Sequence, residues 1–517
     1  MTIASNDSPE RLHDRRQGAG MAGRAGVDVA VVGGGAAGCV VAARIAESGS
    51  RSVVLLEAGP DLRADLPEHV RDGWNMTSEF DWGYTSEPDE LGVVRKVRRV
   101  KLLGGTSSIT RFALRGAPGD YDEWEALGNA DWGFKDVLPY LKRLEADADF
   151  GDEAWHGDHG PIPVDRYRHL EQTEVHATTL RTFEAAGFAP VEDHNRPGAV
   201  GVGRMPMSSR DGVRITTAAA YLPVGRTPPN LTIRPDAQVA DVVFEGTRAT
   251  GVRLLDGTAI DASLVVLCAG TYGSPPILMR SGIGPAVHLR SIGFPVRVDL
   301  PGVGANLADH PAIMMDCGYR GPARRAPLLH SVATFHSAAT STDGPPDLMF
   351  WVADPDAPEE PPQFPIDVLL LKPLSRGSVR LRSADPRDPP RIQLPDLREP
   401  SDLERLAEAY RRAREIARDP AIRGLCTEPL PPEIRDHRDL LLAVRQGARS
   451  VPHVVGTCSM GPSPEDGAVV DGSGAVFGTE RLFVVDASIM PTVPSGFTHL
   501  PTIMIAERLS ERIAAVI

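Results

Sequence analysis

Two short apolar runs near the start of the chain, 27–32 and 53–56, enclose the pattern Gly33-x-Gly35-x-x-Gly38, and the second run ends on Glu57. Between them, residues 42–48 carry helical spacing and stop at Gly49. Strand, glycine turn, helix and strand in that order make a βαβ unit of a parallel sheet, with the glycines at its first turn. Gly33 permits the tight turn, Gly35 lets a pyrophosphate reach the backbone, and Gly38 lets the helix approach the strand. Ala37, inside the glycine turn, is a further cofactor-contact candidate, and the helix N-terminus brings partial positive charge that suits phosphates. Glu57 can accept hydrogen bonds from ribose hydroxyls and repels a 2′-phosphate, which disfavours NADP. The unit by itself does not separate FAD from NAD.

With 517 residues the chain exceeds one ordinary core, so two closely packed domains are expected. A composition 42% hydrophobic and 24% charged is globular. The formal charge of −14 argues against nucleic-acid binding, which needs a basic face. Cys39, Cys268, Cys317, Cys426 and Cys458 form no CxxC, and no histidine stands at ligand spacing beside them. They read as free thiols in a reducing compartment, and no metal site is expected. No apolar run reaches the ~20 residues of a membrane-spanning helix. Residues 1–26 are polar and glycine-rich, which predicts disorder. Arg15-Arg16 precede no signal-peptide core, so the expected compartment is the cytoplasm.

A second glycine site, Gly104-Gly105, is followed by Thr106, Ser107, Ser108 and Thr110. Small residues there let the backbone lie flat against a planar ligand while hydroxyls bond its edge; a surface loop fits the same residues. Residues 264–284 read as a buried strand into Ala269-Gly270 and then a helix over 274–280. Near the end, VPHVVGTCSM (451–460) and PSGFTHLPTIM (494–504) set His453 and His499 in similar surroundings. Either they share chemistry on one substrate, or both are buried histidines satisfied by backbone.

Together with DWGYTSEP (81–88), LGGTSSI (103–109), GTYGSPPILMRSGIG (270–284), PGVGANLADHP (301–311), KPLSRGSVRLRSADPRDPP (372–390) and LFVVDASIMPTVPSGFTHLPTIMIAE (482–507), these stretches resemble the glucose–methanol–choline (GMC) flavoprotein oxidoreductases from about Val27 to the C-terminus. The resemblance implies FAD rather than NAD, and a mixed α/β plus α+β chain. A Rossmann-like FAD domain (27–160, 235–320 and 450–517) interleaves with an antiparallel-sheet substrate domain (161–234 and 321–449). It implies that His453 is the active-site histidine and that Ala269, Asp486 and Ala487 lie along the cofactor. Val239 would contact the adenine end. Thr502, on a helix opening near Pro501, would face the flavin pyrimidine ring, where the helix dipole stabilises negative charge.

The departures carry as much information. Thr110 stands where the family commonly has Asn. Ile109 occupies the position of a covalently bonding histidine in some members, so FAD is expected to be noncovalent. The second catalytic position, usually His or Asn, aligns with Phe497, two residues before His499. Either a local shift brings His499 to the substrate hydroxyl, or His499 bonds the flavin edge while Phe497 walls the substrate; the second arrangement is favoured. Arg111 is a candidate for an anionic substrate group, against a structural ion pair. His310 reads as a turn residue and Cys458 as packing.

The expected reaction is oxidation of a small primary or secondary alcohol, with His453 as base and O2 or another acceptor closing the cycle. A lyase resembling the hydroxynitrile lyases, or a flavin-binding protein without turnover, are the alternatives. In the substrate domain, strands are expected at 367–372 and 377–383 on one antiparallel sheet, a loop at the Pro-rich 344–365, and an amphipathic helix at 401–419.

Overall fold

The computed structural model describes residues 26–71, 79–322, 329–355, 362–427 and 434–517. The stretch 1–26, expected to be disordered, lies outside the described residues except for Gly26. Strand β1 (Val27–Val32), helix α1 (Ala36–Ala46) and strand β2 (Val53–Leu56) form the βαβ unit. Helix α1 begins earlier than spacing suggested, because Gly35 already stands at its N-cap. Its sequence AAGCVVAARIA is apolar almost all round, and nine of its eleven residues are buried. Such a helix needs a covering on both sides.

On one side it meets a seven-stranded mixed sheet. Strands 231–234, β2, β1, β3 (Ala259–Leu267) and Leu482–Val484 run parallel, with Val29 opposite both Val53 and Leu264. Arg248–Leu254 and Val239–Glu245 continue it antiparallel from β3. Strands buried on both faces read as continuous aliphatic runs, as β2 and the end of β3 do.

A second seven-stranded sheet is antiparallel apart from one short edge pair. Its order is β5 (Arg449–Val455), β4 (Ala308–Gly318), Gln363–Leu370, Leu348–Ala353, His330–Phe335, Gly201–Arg204 and Pro190–Val191. Strands β4 and β5 belong here, although residues 308–318 and 450–455 fall within stretches expected for the FAD domain. The expected amphipathic helix spans Pro400–Ile416, and its apolar stripe of Leu403, Leu406, Ala407, Tyr410, Ala413 and Ile416 is buried against this sheet.

Three expectations are corrected here. Residues 348–353, inside the segment read as a loop, form an internal strand of the second sheet. Its prolines flank the apolar run LMFWVA, and burial of that run outweighs the loop composition around it. Segment 377–383 does not join the large sheet; Ser378–Arg380 pairs with Arg391–Gln393 in a separate hairpin. His310 is not in a turn but inside β4, wholly buried.

The last helix, α2 (His499–Ala514), covers the other side of α1. It opens at His499 rather than after Pro501. Arg44 donates from Nε and Nη2 to both carboxylate oxygens of Glu507 at 2.8 and 2.7 Å, and Arg51 donates to the carbonyl of Ile517. The first contact ties α1 to α2, and the second lies beyond the end of both helices. Among the described residues no helix is long and apolar enough to cross a membrane, and all five cysteines are free and buried.

Candidate active site

The turn after β1 is built as tightly as its glycines imply. Gly33 has φ +100°, and a Cβ there would lie 2.6 Å from the Cys268 carbonyl oxygen. A Cβ on Gly38 would lie 1.8 Å from the Gly33 carbonyl oxygen. By contrast, a Cβ on Gly35 would enter open space. The first-turn N–H groups of α1, around Ala37, have no intrahelical acceptor and stand beside that space.

Glu57 is buried. Its Oε2 accepts from the Gly34 N–H at 2.7 Å and its Oε1 from Gly59 at 2.8 Å. Burial pushes its pKa up to about 7 against those hydrogen bonds. The carboxylate thus ties the glycine turn to the end of β2. The Glu57 carbonyl accepts from Ala237, which brings the strand starting at Val239 alongside.

The second glycine site closes over the first. Gly104 donates to the Gly34 carbonyl at 2.7 Å, and a Cβ on Gly105 would lie 2.8 Å from the Gly35 Cα. Ser107 Oγ donates to the Gly104 carbonyl and accepts from the Thr217 N–H. Thr110 follows, half-buried, its N–H bonded to Thr106. The stretch is a built turn, not a free surface loop.

On the other flank, Asp486 Oδ2 accepts from the Gly270 N–H at 2.8 Å and Ser274 Oγ at 2.6 Å, while Oδ1 accepts from Ser488. Ala269 donates to Ser274 Oγ. Asp486 therefore acts on this turn through backbone, and a Cβ on Gly270 would again enter open space. Ala487 accepts from Gly456, Thr271 Oγ1 donates to the Val454 carbonyl, and Thr457 Oγ1 donates to the Thr271 carbonyl. These bonds join the glycine-lined space to the strand that carries His453.

His453 sits where the pairing of β4 with β5 slips. Ala308 faces Val455, yet His310 faces Val451, so β5 has extra residues around position 453. Irregularities of this kind re-aim a side chain. Asp309 Oδ1 accepts from the main-chain N–H of both His310 and His453 at 2.9 Å, and Ser450 Oγ also donates to this carboxylate. Burial raises the Asp309 pKa to about 7. The His453 ring lies 4.6 Å from that of Phe497 and contacts His310 through Nδ1 at 3.1 Å. Burial, then His310, holds the His453 pKa well below the usual imidazole value, so it is neutral.

Phe497 is 1% exposed and donates its N–H to the Leu114 carbonyl. Its ring also meets Phe112 at 5.1 Å and Trp351 at 6.5 Å, forming an aromatic wall beside His453. Arg111 lies at the edge of this wall and donates to His330 Nε2 at 2.9 Å. Arg115 instead forms a buried ion pair with Glu145. Glu145, Asp147 and His156 cluster closely enough to suggest metal ligands, but Arg115 and Arg166 already neutralise them.

His499 lies elsewhere. Among the described residues no ring contact or hydrogen bond joins it to His453. It opens α2, its Nε2 is buried without a hydrogen-bond partner, and burial lowers its pKa to about 4. Arg214, whose charge also lowers the His499 pKa, donates to the Ser108 carbonyl. Thr502 Oγ1 turns back onto the Thr498 carbonyl at 2.6 Å. Sequence reasoning missed Asp309 and His310, whose motif ADHP looked like a turn, and the wall residues Phe112 and Trp351.

Residues 27–312 match the N-terminal family model "GMC oxidoreductase", and 373–506 match its C-terminal counterpart. The chain belongs to the GMC oxidoreductase family. A GMC-type oxidoreductase of Rhodococcus erythropolis is 35% identical, over 93% of this chain and 97% of that one. A 5-(hydroxymethyl)furfural oxidase of Methylovorus sp. is 34% identical, covering 94% and 98%. The crystal structure of pyridoxine 4-oxidase from Mesorbium loti superposes with a TM-score of 0.86 at 28% identity, covering 94% and 99%. As a GMC oxidoreductase the protein is an FAD flavoenzyme acting on CH–OH groups. The residues present fit that cofactor. Open space beside Gly35 and Gly270, the N-terminus of α1 and the unpartnered buried His499 Nε2 are the features that a cradle for such a cofactor needs.

Proposed function

We propose that this GMC oxidoreductase converts a primary or secondary alcohol to the aldehyde or ketone, with His453 as the base and aryl-type methanols as preferred substrates. Bound FAD supplies the hydride acceptor at N5. The first turn of α1 and Gly35 would hold its pyrophosphate, Glu57 the ribose, Val239 the adenine side, and the Gly104–Gly105 turn and the start of α2 the flavin. The observation that carries the reading is the neutral His453 imidazole. It is aimed by a strand irregularity, backed by Phe497, and bonded through Val454 and Thr457 to the turn at the cradle.

A neutral imidazole takes the hydroxyl proton as hydride leaves carbon, and its position beside the cradle lets both occur on one bound alcohol. The wall of Phe112, Trp351 and Phe497 suits a flat ring. Among the relatives, one is named a 5-(hydroxymethyl)furfural oxidase and one a pyridoxine 4-oxidase, while another at 33% identity is named an oxygen-dependent choline dehydrogenase, which is why choline belongs in the test panel. With Phe497 in the second catalytic position, His453 is the imidazole assigned as base. His499 serves the flavin edge instead.

Anaerobic mixing of the FAD-loaded protein with aryl methanols, short aliphatic alcohols and choline tests this. The aryl methanols should bleach the flavin fastest. His453→Ala should retain flavin but bleach about 10²–10⁴-fold more slowly, whereas His499→Ala should lose far less rate. A flavin that stays oxidised with every alcohol would remove the oxidation reading. Wild-type bleaching by His453→Ala would remove the assigned base.

A further inference from the structure

His310 and His453 are 143 residues apart in sequence, yet their Nδ1 atoms meet at 3.1 Å with ring planes at 84°. The other nitrogen of His310, Nε2, lies 3.1 Å from the Pro494 carbonyl oxygen. A carbonyl can only accept, so His310 Nε2 carries a proton. The His310 ring is wholly buried, and that burial lowers its pKa to about 4. A neutral ring holds one proton, so Nδ1 of His310 is a lone pair. The contact between the two Nδ1 atoms then requires its proton from His453.

We propose that His310 is a positioning residue that holds His453 in its Nδ1–H tautomer, leaving the Nε2 lone pair as the single basic site of that ring. This rests on the reading of His453 as base and adds the place of its proton. In a free neutral imidazole either nitrogen can carry the proton, and the Nε2–H form has nothing with which to accept one there. With the tautomer set, the alcohol O–H bond breaks as an Nε2–H bond forms. The resulting imidazolium keeps its Nδ1–H on the lone pair of His310.

The surroundings hold this arrangement from three sides. Asp309 Oδ1 accepts from both histidine main-chain N–H groups, which fixes where the two rings leave the backbone. Pro494 is clamped by its neighbours. Asp120 Oδ2 accepts from Ser495 N–H at 2.8 Å and Ser495 Oγ at 2.6 Å, and Lys372 donates to the Val493 carbonyl at 3.0 Å. Lys372 also pairs with Asp120 at 3.0 Å, so the carbonyl that orients His310 belongs to a charge-anchored loop. The Phe497 ring packs on His453. A tautomer is a choice between two nearly equal states, and a fixed acceptor is sufficient to decide it.

The test is histidine-labelled ¹⁵N NMR of the FAD-loaded protein at neutral pH, with His453→Ala and His310→Gln identifying the two rings. His453 should show a protonated, pyrrole-type Nδ1 and a pyridine-type Nε2, and His310 the inverse pattern. A pyridine-type Nδ1 on His453 overturns the proposal. Kinetically, His310→Gln keeps an acceptor for His453 and a donor for Pro494, and should stay within about threefold of the wild-type flavin-reduction rate. His310→Leu removes both and should slow reduction by about 10–100-fold with flavin content unchanged. Equal rates in the two variants, whether both fast or both slow, also overturn it, since packing alone would then explain His310. The two readings fail separately. If His453→Ala reduces its flavin at the wild-type rate while the ¹⁵N pattern holds, His453 is not the base and the tautomer assignment stands.

Discussion

Asp309 shows how one side chain can serve two elements. Its carboxylate receives two main-chain N–H groups and the Ser450 hydroxyl, yet burial still raises its pKa to about 7 from the ordinary 3.8. An acid whose folded pKa is raised binds protons in the folded state that the unfolded chain has released. Its contribution therefore favours folding most at low pH and declines as pH rises between about 3.8 and about 7. Asn in that place cannot ionise. The melting temperature of Asp309→Asn, minus that of the wild type, should become more positive from pH 4 to pH 7 and level off above, as thermal denaturation across that range would show. A difference independent of pH would mean that Asp309 is ionised throughout. Glu57 shares the direction of shift, but its two N–H donors and the expected ribose contact make it a binding residue first.

Among the elements, the turn between β1 and α1 separates folding from binding residue by residue. A methyl group at Gly38 collides with the Gly33 carbonyl oxygen at 1.8 Å, a backbone atom that cannot swing away. At Gly35 the same methyl meets nothing within 4 Å, and the backbone there is already extended. Gly35→Ala should fold with a near-wild-type melting temperature in the flavin-free protein but bind FAD about tenfold or more weakly. Gly38→Ala should lose about 1–3 kcal/mol of stability before any ligand is added. Denaturation of the flavin-free variants, followed by FAD titration, separates the two effects. Similar behaviour in both variants would mean that the open space over Gly35 is not where the pyrophosphate lies. The slip between β4 and β5 works at the same scale, because a regular pairing would set position 453 opposite His310 in the ladder.

Across the whole molecule, Thr271 and Thr457 bond the turn after β3 to the end of β5, and Arg115, Glu145, His156, Asp193 and Arg166 form a separate buried ion-pair network. The expected noncovalent binding of FAD rests on aliphatic Ile109, which offers no nucleophile. Acid precipitation should release all of the flavin into the supernatant, and the flavin-free protein should melt at a lower temperature that rises with added FAD. Yellow colour retained in the washed precipitate would contradict noncovalent binding.

Much of this was legible in the chain because it is written locally. The glycine pattern between two aliphatic strands dictates its own turn, since only glycine tolerates the φ of Gly33 and the approach at Gly38. The motifs around His453 and Asp486 marked the family, and the stripe from Leu403 to Ile416 marked a helix face. What tertiary structure alone decided involves partners far apart in sequence. The apolar run 348–353 became an internal strand because neighbours on both sides bury it, against the prolines around it. Phe497 rather than His499 reached His453, because His499 opens α2 while Phe497 precedes the helix and packs its ring on His453. His310, which looked like part of a turn, faces His453 across 143 residues. Local propensity carries no information about such a pairing, and a neutral ring's tautomer follows from whichever acceptor the fold sets beside it.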